Sequence, residues 1–206
     1  TVPAHHRARV AAAPAAVIQV DDRLPFDWPK SDGVYPLWVR RHGMPTTVTV
    51  PYTTAWGWRR TGVHRARVQV QLEQVAAVSQ NVVGAVPGRD PRLPEIIVTA
   101  HHDTQCGNPG ADDNASGVVC VLELARLFAA RPHRRTLRFV SFGTEEQLSV
   151  GAAAYVQQHR AEMKHVGLVV NFDSVASPLG HNELSCVGPA ALARHATGAL
   201  ARRGLD

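Results

Sequence analysis

The chain has 206 residues, 45% of them hydrophobic and 19% charged, enough for one full domain with a sizeable core or for a domain and part of another. Its formal charge of +5 rests almost wholly on arginine, because Lys30 and Lys164 are the sole lysines. The arginines are scattered in small clusters without aromatic interleaving, which argues against a nucleic-acid partner. No run of about 18 apolar residues offers a transmembrane helix, and the N-terminus lacks a signal-peptide core. Three cysteines without a C-x-x-C pair provide neither a disulfide framework nor a sulfur-based zinc site. Cys120 suits helix packing, and Cys106 reads as a loop cysteine.

In chain order, residues 1 to about 62 are the least legible. They are rich in proline, hold Trp28, Trp38, Trp56 and Trp58, and show no helix with a clear start and stop. Thr46 to Val50, β-branched and closed by Pro51, predicts a strand. Val68 to Leu72 alternates as a half-buried strand, and Asn81 to Val86 is another, closed by Pro87-Gly88. Ile96-Ile97-Val98 predicts a strand buried on both faces. Asn114 or Ser116 can cap a helix running to about Ala130, with Val118, Val121, Leu122, Ala125 and Phe128 inward. Leu137 to Phe142 predicts a strand, Ser149 to His159 a helix and Val166 to Phe172 a buried strand. A last helix runs from Ala190 to Arg203 and ends at Gly204. Such alternation predicts an α/β sandwich.

Chemistry gathers where these strands end, the place where open α/β sheets bind ligands. A-H-H-D occupies 100–103 and G-A-D-D-N-A-S-G occupies 110–117. Glu145-Glu146 follows one strand and Asp173 ends another. On an extended chain His101 and Asp103 share a face while His102 points away, so His101 is the candidate metal ligand. Asp103 is placed to accept from its second ring nitrogen. One aspartate of the Asp112-Asp113 pair could merely favour the following helix N-terminus, which leaves the other unexplained. A carboxylate such as Asp173 after an apolar strand is costly unless paired or metal-bound. Nitrogen and oxygen donors without sulfur suit catalytic zinc.

From about Val68 to Asp173 the chain resembles the M28 family of zinc metallopeptidases. Besides the two opening motifs, the resemblance is carried by R-T-L-R-F-V-S-F-G-T-E-E-Q (135–147), G-A-A-A-Y-V (151–156) and V-V-N-F-D-S (169–174). It implies a three-layer α/β/α sandwich around a mostly parallel mixed sheet. It also implies a catalytic domain over 63–206 that is C-terminally incomplete, preceded at 1–62 by a possible remnant of a protease-associated insert. His101 and Asp173 would bind one zinc, Asp113 would bridge to a second, and Glu146 would bind that second ion. Glu145 would be the general base acting on a metal-activated water, and Asp103 the carboxylate orienting His101. The family's second zinc takes a further histidine tens of residues beyond Asp173. Within this chain only His181 and His195 fall in that interval, neither with the family's surroundings, so the second site is expected to be one ligand short. The implied activity is exopeptidase cleavage of peptides, foremost by an aminopeptidase, in a secreted or cell-envelope protein. A truncated peptidase-like binding protein and a glutaminyl cyclase-like acyltransferase are the alternatives.

Overall fold

The computed structural model describes residues 8, 11–21, 46–71, 75–105, 107–178, 180 and 183–205. Trp28, Trp38, Leu72, Cys106 and His181 lie outside them. The chain forms two compact units, Thr1–Val78 and Ser79–Asp206, whereas the sequence placed a boundary at 62/63. In the first unit β1 (Val17–Asp21) pairs in parallel with β2 (Thr47–Pro51), and α1 (Tyr52–Thr61) packs against them.

That helix was not foreseen. Its interior holds Gly57 and two tryptophans, so propensity is weak. The stop signal was nonetheless present: Gly62 adopts φ 69° and Val63 N–H returns to the Trp58 carbonyl at 2.9 Å. The strand expected at Val68 to Leu72 is corrected by the structure. Residues 68–71 are not in a strand, and Val70 lies exposed; among the described residues no strand pairs with them.

The second unit carries a four-stranded sheet ordered β3-β5-β4-β6, with β3 Val82–Val86, β4 Glu95–His101, β5 Leu137–Phe142 and β6 Val166–Asn171. The pairs β4/β5 and β4/β6 are parallel and β3/β5 is antiparallel, so the sheet is mixed and mostly parallel. Alternation divides the core between its two faces. Val98, Ala100, Leu137 and Phe139 pack with Val121 of α2 (Gly117–Ala129), joined by Val118, Ala125 and Phe128. Leu122, expected inward, is exposed instead, one position off the buried stripe. On the opposite face Ile97 and Val140 pack with Tyr155 of α3 (Val150–Gln158). This is the α/β/α layering. A short 3₁₀ turn at Met163–His165 precedes β6, and α4 (Ala190–Ala201) follows it.

This winding places the site. The chain leaves β4 for the α2 face and leaves the adjacent β5 for the α3 face. The two loops diverge and open a crevice at the carboxyl ends of these strands. One wall of that crevice depends on Gly151, which lies so near the Gly143 carbonyl that a Cβ there would overlap it. Asn81 ties the same approach, its Nδ2 donating to Gly151 O at 2.9 Å and its Oδ1 accepting from Gly143 N at 3.1 Å. Gly151→Ala is therefore expected to lower unfolding free energy by about 1–3 kcal/mol. Urea titration of the variant beside the parent protein would show it, and an unchanged midpoint would contradict this packing.

Candidate metal centre at the carboxyl ends of the strands

His101 closes β4 with its side chain only 3% exposed, whereas His102 is exposed and sits with Nδ1 3.0 Å from Ser141 Oγ. The alternation of the extended chain separates the two rings. His101 Nδ1 lies 3.0 Å from the Asp103 backbone carbonyl, which can only accept, so Nδ1 carries the proton. Nε2 faces carboxylates: Asp113 Oδ1 at 3.2 Å, Asp173 Oδ1 at 3.4 Å and Glu145 Oε2 at 3.9 Å.

The Asp103 carboxylate does something else. Its Oδ1 stands 3.5 Å from His101 Nδ1 but accepts from Glu145 N at 2.9 Å, and its Oδ2 accepts from Glu146 N at 3.1 Å. The ring's hydrogen bond thus goes to the residue's own carbonyl, with the carboxylate expected to orient it standing alongside at 3.5 Å. The carboxylate instead holds the loop that carries both glutamates.

Asp113 reaches the imidazole through an irregular turn, Ala111–Ser116, in which Asp113 and Asn114 leave helical geometry. The Asn114 side chain anchors the turn. Its Oδ1 accepts from Gly117 N at 3.0 Å and from Ser174 N at 3.3 Å, while Nδ2 donates to Phe172 O at 2.9 Å. Of the two caps proposed from sequence, Asn114 is the one whose side chain holds the helix N-terminus. Ser116 turns its Oγ to Asp112 O at 2.6 Å and accepts there from Val175 N at 3.1 Å. Asp112 is drawn aside to accept from Ala176 N at 2.9 Å, leaving Asp113 to face the ring. The closing Gly117 is a matter of space, since a Cβ there would strike Phe172 O. Asp173 lies two residues beyond the end of β6 and joins the cluster through the same seam.

The electrostatics are those of a site short of positive charge. Burial alone would pull the His101 pKa down. The hydrogen bond to the Asp103 carbonyl and the charges of Asp173, Glu145 and Asp113 outweigh it, and the net shift is upward. Asp113 is raised by burial and then by Asp173, with His101 only partly opposing. Two buried carboxylate oxygens, Asp113 Oδ1 and Glu146 Oε1, have no hydrogen-bond partner among the described residues. Orphans of this kind are costly unless a cation answers them. His101, Asp113 and Asp173 each offer one ligand atom, all within 4.8 Å of one another. That nitrogen–oxygen set and the orphaned oxygen fit a divalent cation such as zinc.

Glu145 and Glu146 stand beside this triad, held differently. Ser149 Oγ donates to Glu145 Oε1 at 2.9 Å, and Gln105 Nε2 donates to Glu146 Oε2 at 2.9 Å. Sequence reasoning passed over Gln105, Ser149 and the anchoring role of Asn114. The polar Asn in the motif was visible, but its contacts with residues 172 and 174 depend on the sheet. His195 is exposed on α4 and does not join the triad.

The family model described as Peptidase family M28 matches residues 81–198. The aminopeptidase YwaD of Bacillus subtilis strain 168 is 37% identical over 101 residues, 48% of this chain and 22% of that protein. The probable lipoprotein aminopeptidase LpqL of Mycobacterium tuberculosis H37Rv is 38% identical over 85 residues, 40% and 17% of the two chains. Among solved structures, the aminopeptidase from Aneurinibacillus sp. strain AM-1 superposes with a TM-score of 0.63 at 24% identity, over 86% of this chain and 44% of that one, a likeness of fold. The match spans under a quarter of the length of these two curated relatives.

Replacing Asn114 with alanine would leave two backbone N–H groups and one carbonyl without their partner. A loss of about 2–4 kcal/mol is expected, since each unsatisfied buried group costs ~1–3 kcal/mol and water recovers part. Thermal unfolding of Asn114→Ala checks this, and a shift within error of the parent would refute the anchoring role.

Proposed function

The chain belongs to peptidase family M28, and from that premise we propose that it performs zinc-dependent exopeptidase hydrolysis, releasing N-terminal residues from peptides. One observation supports the proposal above the others. His101 Nε2, Asp113 Oδ1 and Asp173 Oδ1 converge beside a carboxylate, Glu145, that belongs to none of the three. His101 and Asp173 would hold one zinc, Asp113 would be shared with a second ion, and Glu146 would serve that second ion. When bound, zinc supplies a Lewis acid that polarises the scissile carbonyl and acidifies the attacking water.

The remaining steps belong to the chain's own side chains. His101 presents Nε2 as a neutral donor because the Asp103 carbonyl holds the proton on Nδ1. Glu145 has one oxygen engaged by Ser149 and the other turned toward His101. That free oxygen takes the proton from water as the water oxygen attacks the peptide carbonyl. It then delivers the proton to the departing amine, so the C–N bond breaks with a neutral leaving group. Asp103 keeps Glu145 in reach by holding its backbone N–H. No described helix is long and apolar enough to cross a membrane. Placement in the envelope or outside the cell is supported by the lipoprotein naming of one relative.

Glu145→Gln removes the proton acceptor and keeps the shape. Hydrolysis of aminoacyl amides should fall by about 10²–10⁴-fold while zinc binding persists. Intact turnover in this variant would sink the mechanism, and a panel with a glutaminyl peptide reports cyclisation in its place. Zinc should also raise the melting temperature, because it binds only the folded chain. Its ligand nitrogen must be unprotonated, and the His101 pKa lies above its ordinary value. The zinc-induced rise should therefore shrink as pH falls from about 8 to about 5. A rise independent of pH would exclude His101 as a ligand.

A further inference from the structure

Glu146 is positioned by a residue that neither the motif nor the mechanism above uses. Gln105 lies four residues beyond the end of β4, and its backbone is fixed by a turn in which Asn108 N–H returns to the Gln105 carbonyl at 3.0 Å. From there its amide spans 41 positions of sequence to donate to Glu146 Oε2 at 2.9 Å. The second oxygen, Oε1, is buried and finds no donor among the described residues. The two oxygens of one carboxylate are thus made unequal: one is satisfied by the protein and the other is reserved.

We infer that Gln105 is a positioning residue for metal binding: its amide holds Glu146 Oε2 so that Oε1 is presented as the ligand atom. The inference rests on the reading that the cluster binds zinc. A glutamate has three side-chain torsions to fix before it can coordinate, and ordering them costs free energy on binding. An amide already bound to one oxygen takes that cost before the metal arrives. Outer partners of this kind change metal affinity by about 10–100-fold when removed. Glutamine suits the task better than a cationic side chain. It donates a hydrogen bond without adding a positive charge beside the incoming cation.

The test is a double-mutant cycle read by zinc calorimetry on the full chain, with the parent protein, Gln105→Leu, Glu146→Gln and the double variant. Glu146→Gln identifies the binding step that this carboxylate serves. Gln105→Leu is expected to weaken the same step by about 10–100-fold, and to cost nothing further once Glu146→Gln is present. Melting of the metal-free proteins separates this from misfolding, since the expected loss of affinity comes with an unchanged transition. If Gln105→Leu binds zinc like the parent, or if its effect simply adds to that of Glu146→Gln, the positioning role is overturned while the metal reading stands. If Glu146→Gln weakens no step while the parent binds zinc, the positioning role is likewise overturned and the metal reading stands; if the parent takes up no zinc, both are overturned.

Discussion

One amide holds the site together. Asn114 bonds three backbone groups drawn from two segments about sixty residues apart, the N-terminus of α2 and the chain leaving β6. Asp113 precedes it and Asp173 lies within the stretch it grips, so the position of both carboxylates is set by a neighbouring side chain. Asparagine is chemically suited because it offers donor and acceptor from one planar group. Aspartate could accept the two N–H bonds but would turn an acceptor toward the Phe172 carbonyl. The residue is 1% exposed, so the alternatives available from water are closed to these groups.

Around that anchor the protein concentrates negative charge against one imidazole ring. Asp113, Asp173 and Glu145 all face His101 Nε2, and Asp113 is shifted upward by burial first and by the neighbouring Asp173 charge second. A fold assembled for stability alone would disperse these groups or pair them with arginine, as it does elsewhere. Arg138 joins Glu95 at 2.9 Å and Glu162 at 2.8 Å on the α3 face, bridging the start of β4 to the turn before β6. With 22 lysines and arginines in the chain, cations are abundant, yet none of the described ion pairs brings one to the triad. A metal ion entering there would offset the mutual repulsion of the carboxylates and would couple ion binding to the order of these loops.

Legibility followed the range of the interaction that decides each feature. Buried strands such as Ile96 to Val98 were readable because an apolar run is local, and so was the alternation that separates His101 from His102. Gly62 as a helix stop was equally local, but the weak propensity of Tyr52–Thr61 concealed the helix before it. Residues 68–71 show the converse failure: alternation is necessary for a half-buried strand, yet no strand among the described residues pairs with them. In the site, residue types and spacing pointed to metal chemistry, while the connections did not appear in them. That Asp103 would use its carbonyl for His101 and its carboxylate for the glutamate loop depends on β4 and β5 lying side by side. No pattern within either segment encodes that.

The adjacent glutamates show how neighbouring identical residues acquire different work. Asp103 holds both backbone N–H groups, one on each carboxylate oxygen, which fixes the loop without distinguishing its two side chains. The distinction comes from what each side chain meets. Ser149 reaches Glu145 because residues 148 and 149 adopt left-handed backbone, φ 65° and 55°, and so bring the start of α3 back over the loop. Non-glycine residues enter that region at a cost of about 1–3 kcal/mol, which persists only where surrounding structure enforces it. Here the enforcement is visible, since Ser149 N–H also returns to the Glu145 carbonyl at 2.7 Å. Glu146 meets the other strand end through Gln105. One carboxylate is thereby tied to the α3 side and left with its other oxygen 3.9 Å from the His101 ring. Its neighbour is tied to the β4 side, with its second oxygen buried and without a hydrogen-bond partner among the described residues.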